Sequence, residues 1–266
     1  MTQATPMAAL PMYDWPEIAS STDRLWACIR ERLRAAGLPA PQSLTRTEPI
    51  ARLWTAPSMI LTQSCGLPYV RGVKRYMQLV GTPDYDLPEC APGYYRSAIV
   101  VRADDPRSSL SAFAGAVVAV NADGSQSGFA ALAYRLGREA HHAGGFFAAM
   151  LKTGSHRASV EAVARRQADL AAIDAVSWRL AQRHAPDAAA LRVLEMTDPM
   201  PGLPMLTAPS FDPRNVGQAV KEGIDMLPTH DKSALGLVGL CVFSPEDYDI
   251  IEKRARVAPP LVGRRN

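Results

Sequence analysis

The sequence predicts an α/β protein built as two lobes, the second inserted into the first. Strand-like apolar runs alternate with amphipathic helical stretches nearly throughout, the pattern of strand–helix–strand units around largely parallel sheets. The chain has 266 residues, enough for two small domains with buried cores. Two extended apolar segments, near 97–102 and 203–208, stand where the chain would cross between lobes. The expected division is 1–100 plus 205–266 for the first lobe and 101–204 for the second, with a ligand cleft between them.

Residues 7–13 (MAALPMY) read as a strand. Ser20, Ser21 or Thr22 is expected to cap a helix running to about Ala36 and closed by Gly37. Within it Leu25, Ile29 and Leu33 recur every four residues, an apolar face opposite the arginines. Strands follow over 58–63 (SMILTQ), 77–83 (MQLVGTP) and 97–102 (SAIVVR). The middle third continues with a strand over 117–121 (VVAVN) and a helix from about Gly128 to 140. Residues 146–153 (FFAAMLKT) read as a strand leading to a helix at 158–167. A strand over 168–174 (ADLAAID), a helix over 175–184 and a strand over 191–197 complete it. The segment 201–209 is extended. The rest, over 212–227, 233–240 and 245–257, reads as helical.

Composition excludes several classes. Apolar residues at 47% and charged residues at 21% suit a globular protein. The net charge of +3 comes without a polybasic run or basic helix face, so no nucleic-acid partner is expected. Arg264 and Arg265 read as a solvated tail. No stretch approaches the ~20 apolar residues of a spanning helix, so no membrane insertion is expected. Residues 1–15 lack a basic leader and a sustained apolar core. A cytoplasmic location, or a leader outside this sequence, is the expectation. Cys28, Cys65, Cys90 and Cys241 are scattered with no CxxC pair, and His141 and His142, being adjacent, cannot share a helix face. No metal or cofactor is expected, and the two histidines read as surface residues.

Three places carry chemistry. In VVAVNADGSQSGFAAL (117–132) a strand ends at Asn121, a glycine turn follows, and a helix begins. The first amides of a helix have no internal acceptor, and the helix dipole favours an anion there. Ser125 and Ser127 add hydroxyl donors, Gln126 adds an amide, and Gly128 would let an anion approach the backbone. An ordinary serine cap is the alternative. The nucleophile-elbow pattern fails because Gln126 holds its central position, and no Walker loop or GxGxxG occurs. In KTGSHRASVEAV (152–163) His156 stands after a strand and before a helix, able to donate to an anion or simply to sit in a loop. Asp174 closes the ADLAAID strand, where ligands of α/β sheets bind. It would accept from a ligand amine, a phosphorus hydroxyl or His156, or else cap the next helix.

The ordered set of Tyr95-Arg96-Ser97, V-N-x-x-x-S-x-S-G at 120–128, T-G-S-H-x-x-S at 153–159 and A-D-x-A-A-I-D at 168–174 resembles the PhnD-like family. These are ABC-transporter substrate-binding proteins for phosphonate, phosphite or phosphate. The resemblance runs from about Leu10 to Thr207. It implies a two-lobed type II periplasmic-binding-protein fold with a closing inter-lobe cleft. It also implies that Ser125, Ser127, the Gly128 amide and His156 hold the phosphorus oxygens. Tyr95, Gln63 and Tyr13 would contribute from the other lobe. Asp174, and more loosely Asp198, would meet the ligand's variable part. The partners implied are a small anionic ligand and an ABC-transporter permease. Two alternatives use the same fold: a cytoplasmic enzyme with His156 as acid/base oriented by Asp174, and a ligand sensor.

Overall fold

The computed structural model describes residues 5–138 and 145–263; His141–His142 and Arg264–Arg265 lie outside these. In chain order the strands are β1 (Met7–Ala8), β2 (Met59–Gln63), β3 (Gln78–Asp84), β4 (Tyr94–Tyr95), β5 (Ser97–Arg102) and β6 (Val117–Val120), followed by β7 (Ala149–Lys152), β8 (Leu170–Asp174), β9 (Leu191–Met196), β10 (Met200–Pro201), β11 (Met205–Thr207) and β12 (Gly239–Cys241). The helices are α1 (Ala19–Ala35), α2 (Ile50–Leu53), α3 (Gly66–Arg71), α4 (Ala131–Gly137), α5 (His156–Ala164), α6 (Ala175–His184), α7 (Pro213–Met226), α8 (Thr229–Leu235) and α9 (Asp249–Val257).

The chain forms two compact units, Met1–Tyr94 with Pro201–Asp249, and Tyr95–Met200 with Ile250–Asn266. Three passages therefore join them rather than two, and the tail beyond Asp249 belongs to the second unit instead of the first. The reason is Leu261. It is fully buried among Phe113, Val118, Leu132, Phe146 and Phe147, and its carbonyl accepts from the Phe146 and Phe147 amides at 3.0 and 2.8 Å.

In the first unit the sheet order is β1-β2-β11-β3-β12. The apolar face of α1 is buried as its four-residue repeat requires, with Trp26, Ile29 and Leu33 sealed from solvent. It packs so closely on α7 that a side chain on Gly223 would come within 2.7 Å of Ile29. Asp231 of α8 has no exposed side-chain area and is held by Arg24 Nε at 2.7 Å and Ser21 Oγ at 2.7 Å. The expected serine cap of α1 is thus displaced. The chain enters through a 3₁₀ turn at Pro16–Ile18, the helix runs through the serines, and Ser21 serves Asp231 instead.

The second unit has sheet order β7-β6-β8-β5-β9. β6 runs parallel to β7 and β8, while β5 runs antiparallel to β8 and β9. Ile99, Val101, Val118, Val120, Leu132 and Leu170 form its core. The ends of β6, β7 and β8 therefore share one sheet edge, and Ser97 at the start of β5 pairs there with Asp174.

Both sheets are mixed rather than largely parallel. β5 and β11, the expected crossing segments, lie antiparallel to both their neighbours. The strand expected over 7–13 stops at Ala8, ahead of Pro11, which has no amide to donate. The helix expected over 233–240 ends at Gly236, in the left-handed conformation at φ 62°, and β12 then pairs with β3.

Candidate functional site

Ser125 has extended backbone and caps the helix after β6, its Oγ accepting from the Gly128 amide at 3.0 Å. The helix opens as one wide π turn, Gln126–Ala130, with the Ala130 amide donating to the Ser125 carbonyl at 3.1 Å, and passes directly into α4. The Ser127 amide precedes any intrahelical acceptor. Ser125, Gln126 and Ser127 are buried. Because Ser125 Oγ accepts from Gly128, its hydroxyl proton can still point to a ligand. The capping and anion-binding readings are therefore compatible, although the Gly128 amide itself is taken by the cap.

The second turn lies beside the first because β6 and β7 are parallel neighbours in register, Val120 opposite Lys152. The Thr153 amide donates to the Val120 carbonyl at 2.9 Å and the Gly154 amide to the Asn121 carbonyl at 3.1 Å, which carries the ladder into the turns. Ser155 caps α5 by accepting from the Ala158 amide at 3.1 Å. His156, the first residue of α5, meets Ser127, with Oγ to Nε2 at 2.8 Å. The two helix starts are joined by this bond.

His156 retains partial exposure, but its Nδ1 is sealed from solvent and has no hydrogen-bond partner. Burial pushes its pKa down from 6.5 to about 4. The unfolded chain thus binds a proton that the fold rejects between these values, so stability falls as pH drops through that window. From about pH 7 to about pH 5 the cost is about 2 kcal/mol. Denaturant titration of the ligand-free protein at both pH values checks this. His156→Gln abolishes that part of the loss; an equal loss in the variant would assign it to other groups.

Gly128 accommodates its neighbours. A Cβ there would overlap Asn121 Oδ1 and come within 3.2 Å of His156 Cε1. Asp174 is buried, and its Oδ1 caps α6, accepting from the Val176 and Ser177 amides at 2.8 and 3.1 Å. With Nε2 on Ser127 and Nδ1 unpartnered, His156 is not oriented by Asp174. Asp198 accepts twice from Arg138 Nη1, at 2.9 and 2.8 Å. Tyr95, expected on the first lobe, is instead the first residue of the second unit and is buried. Tyr13 and Gln63 belong to the first unit. They line one recess there with Leu10, Thr22, Tyr85 and Leu237. Tyr85 links them, its ring edge-on to Tyr13 at 5.1 Å and its hydroxyl 3.4 Å from Gln63 Nε2.

The family model for the phosphonate ABC transporter's periplasmic substrate-binding protein matches residues 61–248, well over half of the chain. The chain belongs to this family. No curated protein matches it by sequence. Among solved structures, PhnD1 of Prochlorococcus marinus in complex with methylphosphonate aligns with a TM-score of 0.72 and 15% identity, over 95% of this chain and 97% of that one. XAC2383 of Xanthomonas citri bound to ATP gives 0.69 and 14%, over 96% and 97%. A binding-protein component of the ABC phosphonate transporter of Pseudomonas aeruginosa gives 0.65 and 16%, over 94% and 86%. At these identities the alignments establish the fold, which is the type II periplasmic-binding-protein fold expected from the motifs.

Members of this family are solute-binding components of transporters, not enzymes. The enzyme alternative also lacks its geometry, since Asp174 does not orient His156. Sequence reasoning missed Asn121 as a packing partner of Gly128 and missed Tyr85 altogether. An Asn ending a strand before a glycine turn was a usable signal for the first; Tyr85 sits in no periodic pattern. Among the described residues no helix is long and apolar enough to cross a membrane, and no group of three His, Cys, Asp or Glu could hold a metal ion.

Proposed function

We propose that the two turns of the second unit hold a small phosphorus oxyanion, a phosphonate, phosphite or phosphate, for delivery to an ABC-transporter permease. The observation that carries this is the Ser127–His156 hydrogen bond, which brings two helix starts together at one sheet edge. Ser125 and Ser127 supply hydroxyl protons, the Ser127 amide supplies a backbone donor, and both helix dipoles favour the negative charge. The family description and the methylphosphonate-bound relative support the same chemistry. Tyr95 and Asp174 of the same unit are assigned to the ligand's remaining atoms, while Gln63 and Tyr13 line the recess of the first unit.

Calorimetry and thermal shift with phosphate, phosphite, methylphosphonate and 2-aminoethylphosphonate test this. A ligand at about a hundred times its dissociation constant adds about 2.7 kcal/mol of stability. Flat melting curves for all four would refute the reading. Ser127→Ala leaves a ligand oxygen without its donor and costs about 1–3 kcal/mol, roughly 5- to 150-fold in affinity. Undiminished affinity in that variant would move the site elsewhere.

A further inference from the structure

Two buried polar atoms beside the Ser127–His156 bond have no partner: His156 Nδ1 and Asn121 Oδ1. Both residues border the space that a side chain on Gly128 would take. One is a ring nitrogen that can carry a proton and the other an amide oxygen that can accept one. Unsatisfied buried atoms are costly, and a complementary pair in one place calls for a state of the protein that satisfies them.

We infer that oxyanion binding takes up a proton from solvent onto His156, with Asn121 Oδ1 as the acceptor that completes the imidazolium. The inference rests on the oxyanion reading above. The chain of bonds runs from the ligand oxygen to the Ser127 hydroxyl proton. It continues from Ser127 Oγ to the Nε2 proton of His156, and binding would bring the new Nδ1 proton onto Asn121 Oδ1, which has no partner in the free protein. Each link has a donor and an acceptor, and the positive ring lies one hydroxyl away from the anion. Before binding, no carboxylate among the described residues bonds to the ring. Asp123 of the serine turn is paired with Lys152, Arg157 on the same helix lies 3.9 Å from Glu161, and Asp174 caps α6. Burial disfavours the charged ring. An arriving oxyanion is the missing counter-charge. Asn121 is a positioning residue, acting through His156.

Calorimetry with methylphosphonate at about pH 6, in two buffers of different protonation enthalpy, reads the protons taken up. The wild type is expected to take up about half a proton or more per ligand beyond His156→Gln, the ligand's own titration being common to both. Asn121→Ala is expected to reduce that uptake, whereas a merely structural role would lower affinity and leave the proton count unchanged. The ring nitrogen chemical shifts of wild-type His156 decide the matter independently of any variant: neutral without ligand, doubly protonated with it. A neutral ring in the complex, or equal uptake in wild type and His156→Gln, overturns the inference and leaves the oxyanion reading intact. Failure of the wild type to bind methylphosphonate, phosphite or phosphate overturns both.

Discussion

Leu261→Ala is expected to destabilise the second unit by about 2–5 kcal/mol, the range for truncating a sealed aliphatic side chain where the cavity cannot collapse. Leu261 is 1% exposed and lies in the cluster around Phe113, Val118 and Leu132. Its backbone is fixed by the Phe146 and Phe147 amides, so the segment cannot slide to refill the space. The same core carries β6, whose end presents the serine turn, so oxyanion affinity should fall with stability. Hydrogen exchange locates the effect: protection is lost in β6 and β8 and kept in β2 and β3. Val257→Ala, 71% exposed at the end of α9, is the control and should change stability by no more than about 0.5 kcal/mol. Equal melting of Leu261→Ala and the wild type would refute the assignment of the tail to this core.

Nothing periodic in the sequence announces that role. Residues 258–263 (APPLVG) carry no helical or strand-like period, and only the tertiary fit to Phe146 and Phe147 makes Leu261 a core residue. Local signals were reliable where they were dense. β5 coincides with SAIVVR, and α6 with AVSWRLAQRH, whose N-cap Asp174 does what capping preference expects. Both chemically suspicious turns were legible for the same reason: a strand, a break and a helix cap each leave their own residue types behind. What joins them was not legible, because the parallel pairing of β6 with β7 that brings Ser127 to His156 is a long-range contact. Gly128 shows the limit clearly. A glycine at a helix start suggests room for a ligand, yet its bare Cα accommodates Asn121 and His156.

That packing makes Gly128→Ala the sharpest test of the site. A methyl group there would overlap Asn121 Oδ1 and press on His156 Cε1 at 3.2 Å. Alanine at an exposed helical position is worth up to about 1 kcal/mol over glycine. Here overpacking outweighs it, at about 1–3 kcal/mol. Two relaxations are open. Either the Asn121 carboxamide swings out, or the turn shifts and carries Ser127 off His156. The second spoils hydrogen-bond geometry at the ligand and is expected to weaken methylphosphonate binding at least roughly tenfold, the loss of about one donor. Adding Asn121→Ala removes the overlapping oxygen and separates the two. If the clash governs, the double variant melts above Gly128→Ala, an interaction energy of about 0.5–3 kcal/mol. It should also regain part of the affinity, although without the Asn121 acceptor the His156 proton uptake stays low. A double variant no more stable than Gly128→Ala would show that the glycine is required by something other than Asn121.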